Sequence, residues 1–137
     1  MAGNLIDTNV IIRYLIETPE STPEKFKGVF SFFEKVESGH IKIELTELVL
    51  FESFFVLTRL YKVPSTKTAN ILEKLVQFKG INLPNKKLII ACLTIIQDTN
   101  VDLVDAYLIA LSKDKGSKGI YSFDKDMVRG GLKNLEI

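Results

Sequence analysis

The chain has 137 residues, 46% of them hydrophobic and 26% charged, with a formal net charge of +1. This is the size and balance of one globular domain with a core of its own; it excludes a disordered chain, and no apolar run is long enough to span a bilayer. A single histidine, His40, and a single cysteine, Cys92, exclude an internal disulfide, a Cys/His zinc site and a two-histidine ribonuclease mechanism within one chain. There is no Walker loop and no dinucleotide glycine fingerprint. Whatever chemistry the chain performs is left to carboxylates, hydroxyls, lysines and arginines. The opening residues lack the basic-then-apolar pattern of a secretory signal, and one cysteine suits a reducing compartment, so a cytoplasmic protein without a membrane partner is expected.

Leu5 and Ile6 read as the end of a short buried strand, after which Val10, Ile11, Tyr14 and Leu15 recur at helical spacing, with Thr8 or Asn9 as the cap. Glu17 to Pro23 is a polar loop, and Pro23 suits the first position of a helix whose face carries Phe26, Val29, Phe30, Phe33 and Val36 and which ends at Gly39. His40 is read as a surface residue before a short strand ending at Glu44. Thr46 and Glu47 open a very apolar helix to about Tyr61, and Lys62 to Ser65 breaks it. The next helix turns Ala69, Leu72, Leu75, Val76 and Phe78 inward and stops at Gly80. Ile81 to Leu83 is extended. Pro84 to Gln97 is a helix with Leu88, Ala91, Cys92 and Ile95 as its core stripe. A turn at Asp98 to Asn100 precedes a helix from Val101 to Asp114. Ile120 to Phe123 is a strand, Asp124 to Val128 a helical turn, and Asn134 to Ile137 a final edge strand. Strands alternating with helices predict an α/β fold of three layers, a central mainly parallel sheet with helices on both faces, in a single domain over 1–137.

The carboxylates stand out against this frame. Asp7 sits at the carboxyl end of a strand, just before a helix, which is the edge where open α/β sheets bind ligands; its plain alternative is a helix cap. Glu52 shares a helix face with Leu48, Val49, Phe55 and Val56, so it is expected to be buried and paired, with Arg13 or Arg59, or protonated, or bound to a cation. Asp102 and Asp105 lie on one side of a first helical turn, where the helix dipole alone would favour them, yet Asp105 is followed by Leu108 and Ile109 at same-face spacings. Asp124 ends a strand as Asp7 does, with Asp126 beside it. Carboxylates gathered at one sheet edge repel one another unless a hard cation joins them. Oxygen ligands of this kind suit Mg²⁺ or Mn²⁺, which activates water for attack on a phosphodiester.

Four segments, Leu-Ile-Asp-Thr-Asn-Val-Ile at 5–11, Leu-Val-Leu-Phe-Glu-Ser-Phe at 48–54, Val-Asp-Leu-Val-Asp-Ala-Tyr-Leu-Ile-Ala at 101–110 and Tyr-Ser-Phe-Asp-Lys-Asp at 121–126, together resemble the PIN-domain ribonucleases. Within that family the chain is most similar to the VapC-type toxins of prokaryotic toxin–antitoxin pairs. The resemblance covers essentially the whole chain. It implies a Mg²⁺- or Mn²⁺-dependent endoribonuclease in which Asp7, Glu52, Asp105 and Asp124 are the catalytic, metal-binding acids, with Asp126 as the alternative fourth acid. Asp102 would be an accessory acid, Thr8 and Ser122 would orient water or phosphate, and Asn9 would hold the turn. It further implies an RNA substrate, a homodimer and a cognate antitoxin whose C-terminal segment covers the acidic pocket. Arg13, Lys62, Lys67, Lys86, Lys87 and Arg129 are candidates for the RNA backbone, whereas Lys113, Lys115 and Lys118 are explained by a helix C-terminus. A housekeeping RNA-processing nuclease and a degenerate domain that only binds RNA or protein are the alternatives. An aspartyl-phosphate phosphatase is weaker, since Asn9 stands where that motif wants an aspartate.

Overall fold

A computed structural model describes residues 3–137, apart from the side chains of Asp126 and Arg129. In chain order the elements are β1 (Asn4–Leu5), α1 (Thr8–Ile16), a 3₁₀ turn (Glu24–Phe26), α2 (Gly28–Ser38), β2 (Ile43–Glu44) and α3 (Glu47–Phe55) with a π-helical continuation (Val56–Leu60). They continue as α4 (Ser65–Val76), β3 (Ile81–Asn82), α5 (Lys86–Thr99), α6 (Leu103–Asp114), β4 (Gly119–Ile120), α7 (Asp126–Arg129) and β5 (Lys133–Asn134). Internal contacts divide the chain into two compact units, one running to Val63 and including Lys74–Pro84, the other made of Pro64–Glu73 and Asn85–Ile137. α4 runs from the second unit into the first.

In the first unit β1, β2 and β3 form a parallel sheet in that order, Asn4 opposite Ile43 and Ile43 opposite Ile81. Helical crossovers between parallel strands are what the sequence pattern predicts, and the α/β fold with its parallel sheet is observed. Ile11, Ile12, Phe33, Val36, Leu50, Phe54 and Leu57 are buried in this unit. Tyr14 stacks on Phe33 with ring centroids 4.2 Å apart, and burial, then the Glu37 charge, pushes its phenol above the ordinary range. Gly39 ends α2 at φ 87°, as its place in the sequence predicts. In the second unit α5 and α6 pack extensively on each other, burying Ile89, Cys92, Leu93 and Ile96 with Leu103, Ala106 and Ile109, and β4 pairs in parallel with β5.

Several sequence readings shift. The core stripe of α5 is Ile89, Cys92, Leu93 and Ile96, with Ala91 exposed, because the helix begins at Lys86 behind an Asn85 cap in the left-handed conformation and runs on through Asp98 and Thr99. Leu88 and Ile95 are only half-buried. β4 is only Gly119–Ile120, so Tyr121, Ser122 and Phe123 come after the strand rather than form it. The last strand is Lys133–Asn134, with Leu135 to Ile137 beyond it. Asp102 caps α6 instead of lying inside it.

Gly80 is fixed by contact. A Cβ there would lie 2.0 Å from the Ile41 carbonyl oxygen and 2.6 Å from that of Val36. Both obstacles are backbone, so Gly80→Ala is expected to destabilise the protein by about 1–3 kcal/mol, as overpacking does, read as a lower urea midpoint with an unchanged slope.

Candidate functional site

α1 begins where β1 has ended and the chain turns, and Asp7 makes the turn. Its backbone is extended, and its Oδ1 accepts the Thr8 N–H at 2.7 Å, so Asp7, not Thr8 or Asn9, is the N-cap of α1. Asp7 is exposed. Thr8 is buried, and its hydroxyl donates a short hydrogen bond to the Glu52 Oε1 of α3. Asn9 is exposed within α1, with no side-chain hydrogen bond among the described residues, so the turn is held by Asp7 itself.

Glu52 departs from its sequence reading. α3 buries Leu50, Ser53 and Phe54, followed by Leu57, and this face is the opposite of the one carrying Glu52. Leu48 is 78% exposed, and Glu52 is exposed beside it. The helix is apolar nearly all round, so periodicity cannot choose its inner face. The π-helical turn, with Tyr61 N–H bonded to Val56 C=O, also shifts the phase of the residues after Phe55. Neither expected arginine pairs with Glu52. Arg13 Nη1 bonds Glu17 Oε1 at 2.8 Å, and Arg59 lies 4.3 Å above the Phe55 ring.

Asp7, Thr8, Asn9, Arg13, Glu17, Glu52 and Tyr61 line one cleft of about 370 Å³ in the first unit. Nothing in the sequence singles out Glu17 or Tyr61. Glu17 reads as the start of a loop, although its place four residues after Arg13 is the spacing of a helical ion pair. A larger cleft of about 830 Å³ shares Asp7, Asn9 and Arg13 and adds Lys25, Phe26 and Lys42.

In the second unit Asp102 Oδ1 accepts the Leu103 N–H at 2.8 Å and caps α6, while Asp105 is half-buried in its first turn. Asp124 is exposed; its N–H donates to Ser122 Oγ at 2.9 Å, and its carbonyl accepts from Asn134 Nδ2 at 3.0 Å. The side chain of Asp126, the alternative fourth acid, and that of Arg129 lie outside the described residues. Lys62, Lys67 and Lys87 are exposed, whereas Lys86 is half-buried and burial pushes its ammonium below the ordinary lysine range.

The donors around Asp7 are carboxylate, hydroxyl and amide oxygens, a set that fits a hard cation. The softer ligands are elsewhere: Cys92 is buried in α5, and the exposed His40 shares a hydrogen bond with Ser38. Within each unit by itself, the described residues do not bring three His, Cys, Asp or Glu side chains close enough to hold a metal.

Thr8→Val removes the hydroxyl that holds Glu52 and leaves a similar shape. A loss of about 1 kcal/mol in stability is expected by urea unfolding, with Thr8→Ser retaining most of it.

Residues 5–131 match the PIN domain family. No curated protein matches the chain. PIN domains are typically nucleases that act on RNA and generally use divalent metal ions. Among the described residues no helix is long and apolar enough to cross a membrane. With the match running through the Asp7 turn, the Glu52 helix and the strand before Asp124, the chain belongs to the PIN domain family.

Proposed function

We propose that this chain is a Mg²⁺- or Mn²⁺-dependent endoribonuclease and the toxin of a type II, VapC-like toxin–antitoxin pair, acting in the cytoplasm as a single domain. The observation that carries the nuclease reading is the cleft in which Asp7 and Glu52 meet with the Thr8 hydroxyl bonded to Glu52, at the helix start that family membership makes significant. Asp7, Glu52, Asp105 and Asp124 are the proposed metal-binding and catalytic acids, with Asp102 accessory to them. Asp7 offers its second carboxylate oxygen while the first caps α1, and Thr8 fixes the rotamer of Glu52. Asn9 and Ser122 flank the acids and present polar atoms to water or phosphate. A divalent cation held by these acids would supply an activated water and offset the developing charge on the phosphodiester.

The toxin role is supported by the resemblance of the acid motifs and by an apolar surface suited to partners. Leu48, Phe51, Phe55, Val56 and Leu60 line a shallow cleft of about 600 Å³ beside Glu52, with Leu48 78% and Leu60 70% exposed. A homodimer contact and an antitoxin segment are the proposed occupants of such apolar surface. A housekeeping nuclease would share the chemistry and lack the antitoxin.

Asparagine caps a helix as well as aspartate does, so Asp7→Asn separates the cap from the metal ligand. In EDTA the variant is expected to melt like the parent. Saturating Mn²⁺, at 100 times its dissociation constant, should add ~2.7 kcal/mol to the parent, a melting shift of several degrees, and most of that shift should vanish in the variant. Asp105→Asn is expected to behave in the same way. RNA cleavage by the parent should stop in EDTA and fall at least ~100-fold in Asp7→Asn. Cleavage that persists in EDTA, or Mn²⁺ that shifts no melting curve, overturns the metal-dependent reading. Growth arrest on expression in a bacterium, relieved by Asp7→Asn, is the result expected of a toxin.

A further inference from the structure

We propose that Arg13 takes a backbone phosphate of single-stranded RNA at the mouth of the acid-lined cleft, with Glu17 as the internal anion that occupies it when RNA is absent. This rests on the nuclease reading and deepens it. The two clefts flanking α1 have opposite charge. The larger is lined by Lys25, Lys42 and Arg13 with Asp7 as its acid; the smaller is lined by Asp7, Glu17 and Glu52 with Arg13 as its cation. A polyanion is drawn to the first and repelled by the second. Among the residues lining them, Arg13 is the one cation common to both, so a strand held on the basic side reaches the acids past its guanidinium.

The geometry suits the task. The guanidinium lies 3.7 Å above the Phe26 ring, and Lys25 Nζ lies 4.9 Å from the same ring, so aromatic support fixes the plane of the one and places the other beside it. One N–H is bonded to Glu17 Oε1 at 2.8 Å; the guanidinium makes no other hydrogen bond among the described residues, and the side chain is 30% exposed. Glu17 Oε2 is shielded from solvent and has no hydrogen-bond partner there, so the pair is held at one point and not as a two-point fork. Pairs one helical turn apart are weak, whereas a phosphate can engage the planar fork at two points. A cleft of about 370 Å³ has room for a phosphate with its sugar, and a flexible single strand can bend to seat them there.

The test measures fluorescence anisotropy of a short fluorescein-labelled single-stranded RNA of mixed sequence, in EDTA and over a range of salt, with melting curves and Mn²⁺-dependent cleavage of the same proteins. Arg13→Gln is expected to weaken binding ~10-fold and to lower the salt slope by about one phosphate contact. Arg13→Lys should restore part of it. Glu17→Gln, which frees the guanidinium, should tighten binding, an opposite sign that a structural ion pair does not produce. In cleavage, Arg13→Gln should raise KM more than it lowers kcat. If the parent cuts RNA while both variants bind it as the parent does, or if both weaken binding only in proportion to a lowered Tm, the inference is overturned and the nuclease reading stands. If the parent neither binds nor cuts RNA, both are overturned.

Discussion

The hydrogen bond from Thr8 to Glu52 spans 44 residues of sequence and joins α1 to α3. Thr8 is buried at the first position of α1, so its hydroxyl must find an acceptor within the protein or lose more than the bond itself is worth. The acceptor is a carboxylate, and a charged acceptor makes the stronger bond. A helix that offered only apolar side chains at this crossing would leave the hydroxyl unmet. The bond also has a consequence for Glu52, which is exposed and would otherwise sample several rotamers. Tied to Thr8, it is held toward the cleft that Asp7 lines.

The same crossing explains why α3 can be so apolar and still present an acid to solvent. Its buried face carries Leu50, Ser53, Phe54 and then Leu57, while Glu52 on the other side meets Thr8 of α1, and the small Ser53 satisfies its own hydroxyl on the Val49 carbonyl at 2.8 Å. On the other side Leu48 and Leu60 are exposed, and Phe51, Phe55 and Val56 are half-buried. A surface that apolar is costly unless another molecule covers it, which is why the proposed partners belong here and not on α2, whose outward residues include Glu34, Lys35 and Glu37.

Legibility in the sequence differs by kind of information. Parallel strands joined by helices can be read from the alternation of apolar runs and turn residues, and so can Gly39 as a helix stop and Cys92 as a core residue, because each rests on local chemistry. The inner face of α3 cannot be read: with apolar residues nearly all round, the periodic signal that names a face is absent, and the choice is made by the residues it meets. The strand before Asp124 reads too long for a related reason. Tyr121, Ser122 and Phe123 continue an apolar, aromatic run, yet pairing with β5 stops at Ile120 opposite Asn134. Of the proposed acids, the place of Asp7 just after β1 is legible, whereas Asp124 does not end a strand, since β4 stops at Ile120, and Glu52 is exposed where its neighbours predict burial. Glu17 and Tyr61 are not legible, since their part in the cleft comes from the way α1 and the end of α3 meet.

Asp7 and Asp102 make the same helix cap, each through one carboxylate oxygen to the next residue's N–H. Capping therefore does not single out a functional acid, and it does not exclude one either. A cap consumes one oxygen and fixes the rotamer, which leaves the second oxygen aimed and unspent; that is preorganisation obtained from a structural bond. What sets Asp7 apart is its surroundings. It lines a cleft with Glu52, with Thr8, whose hydroxyl bonds Glu52, and with Arg13. The cap and the proposed metal-binding role of this aspartate thus draw on the same carboxylate without competing for the same atom, and a substitution that keeps the cap while removing the charge can tell them apart.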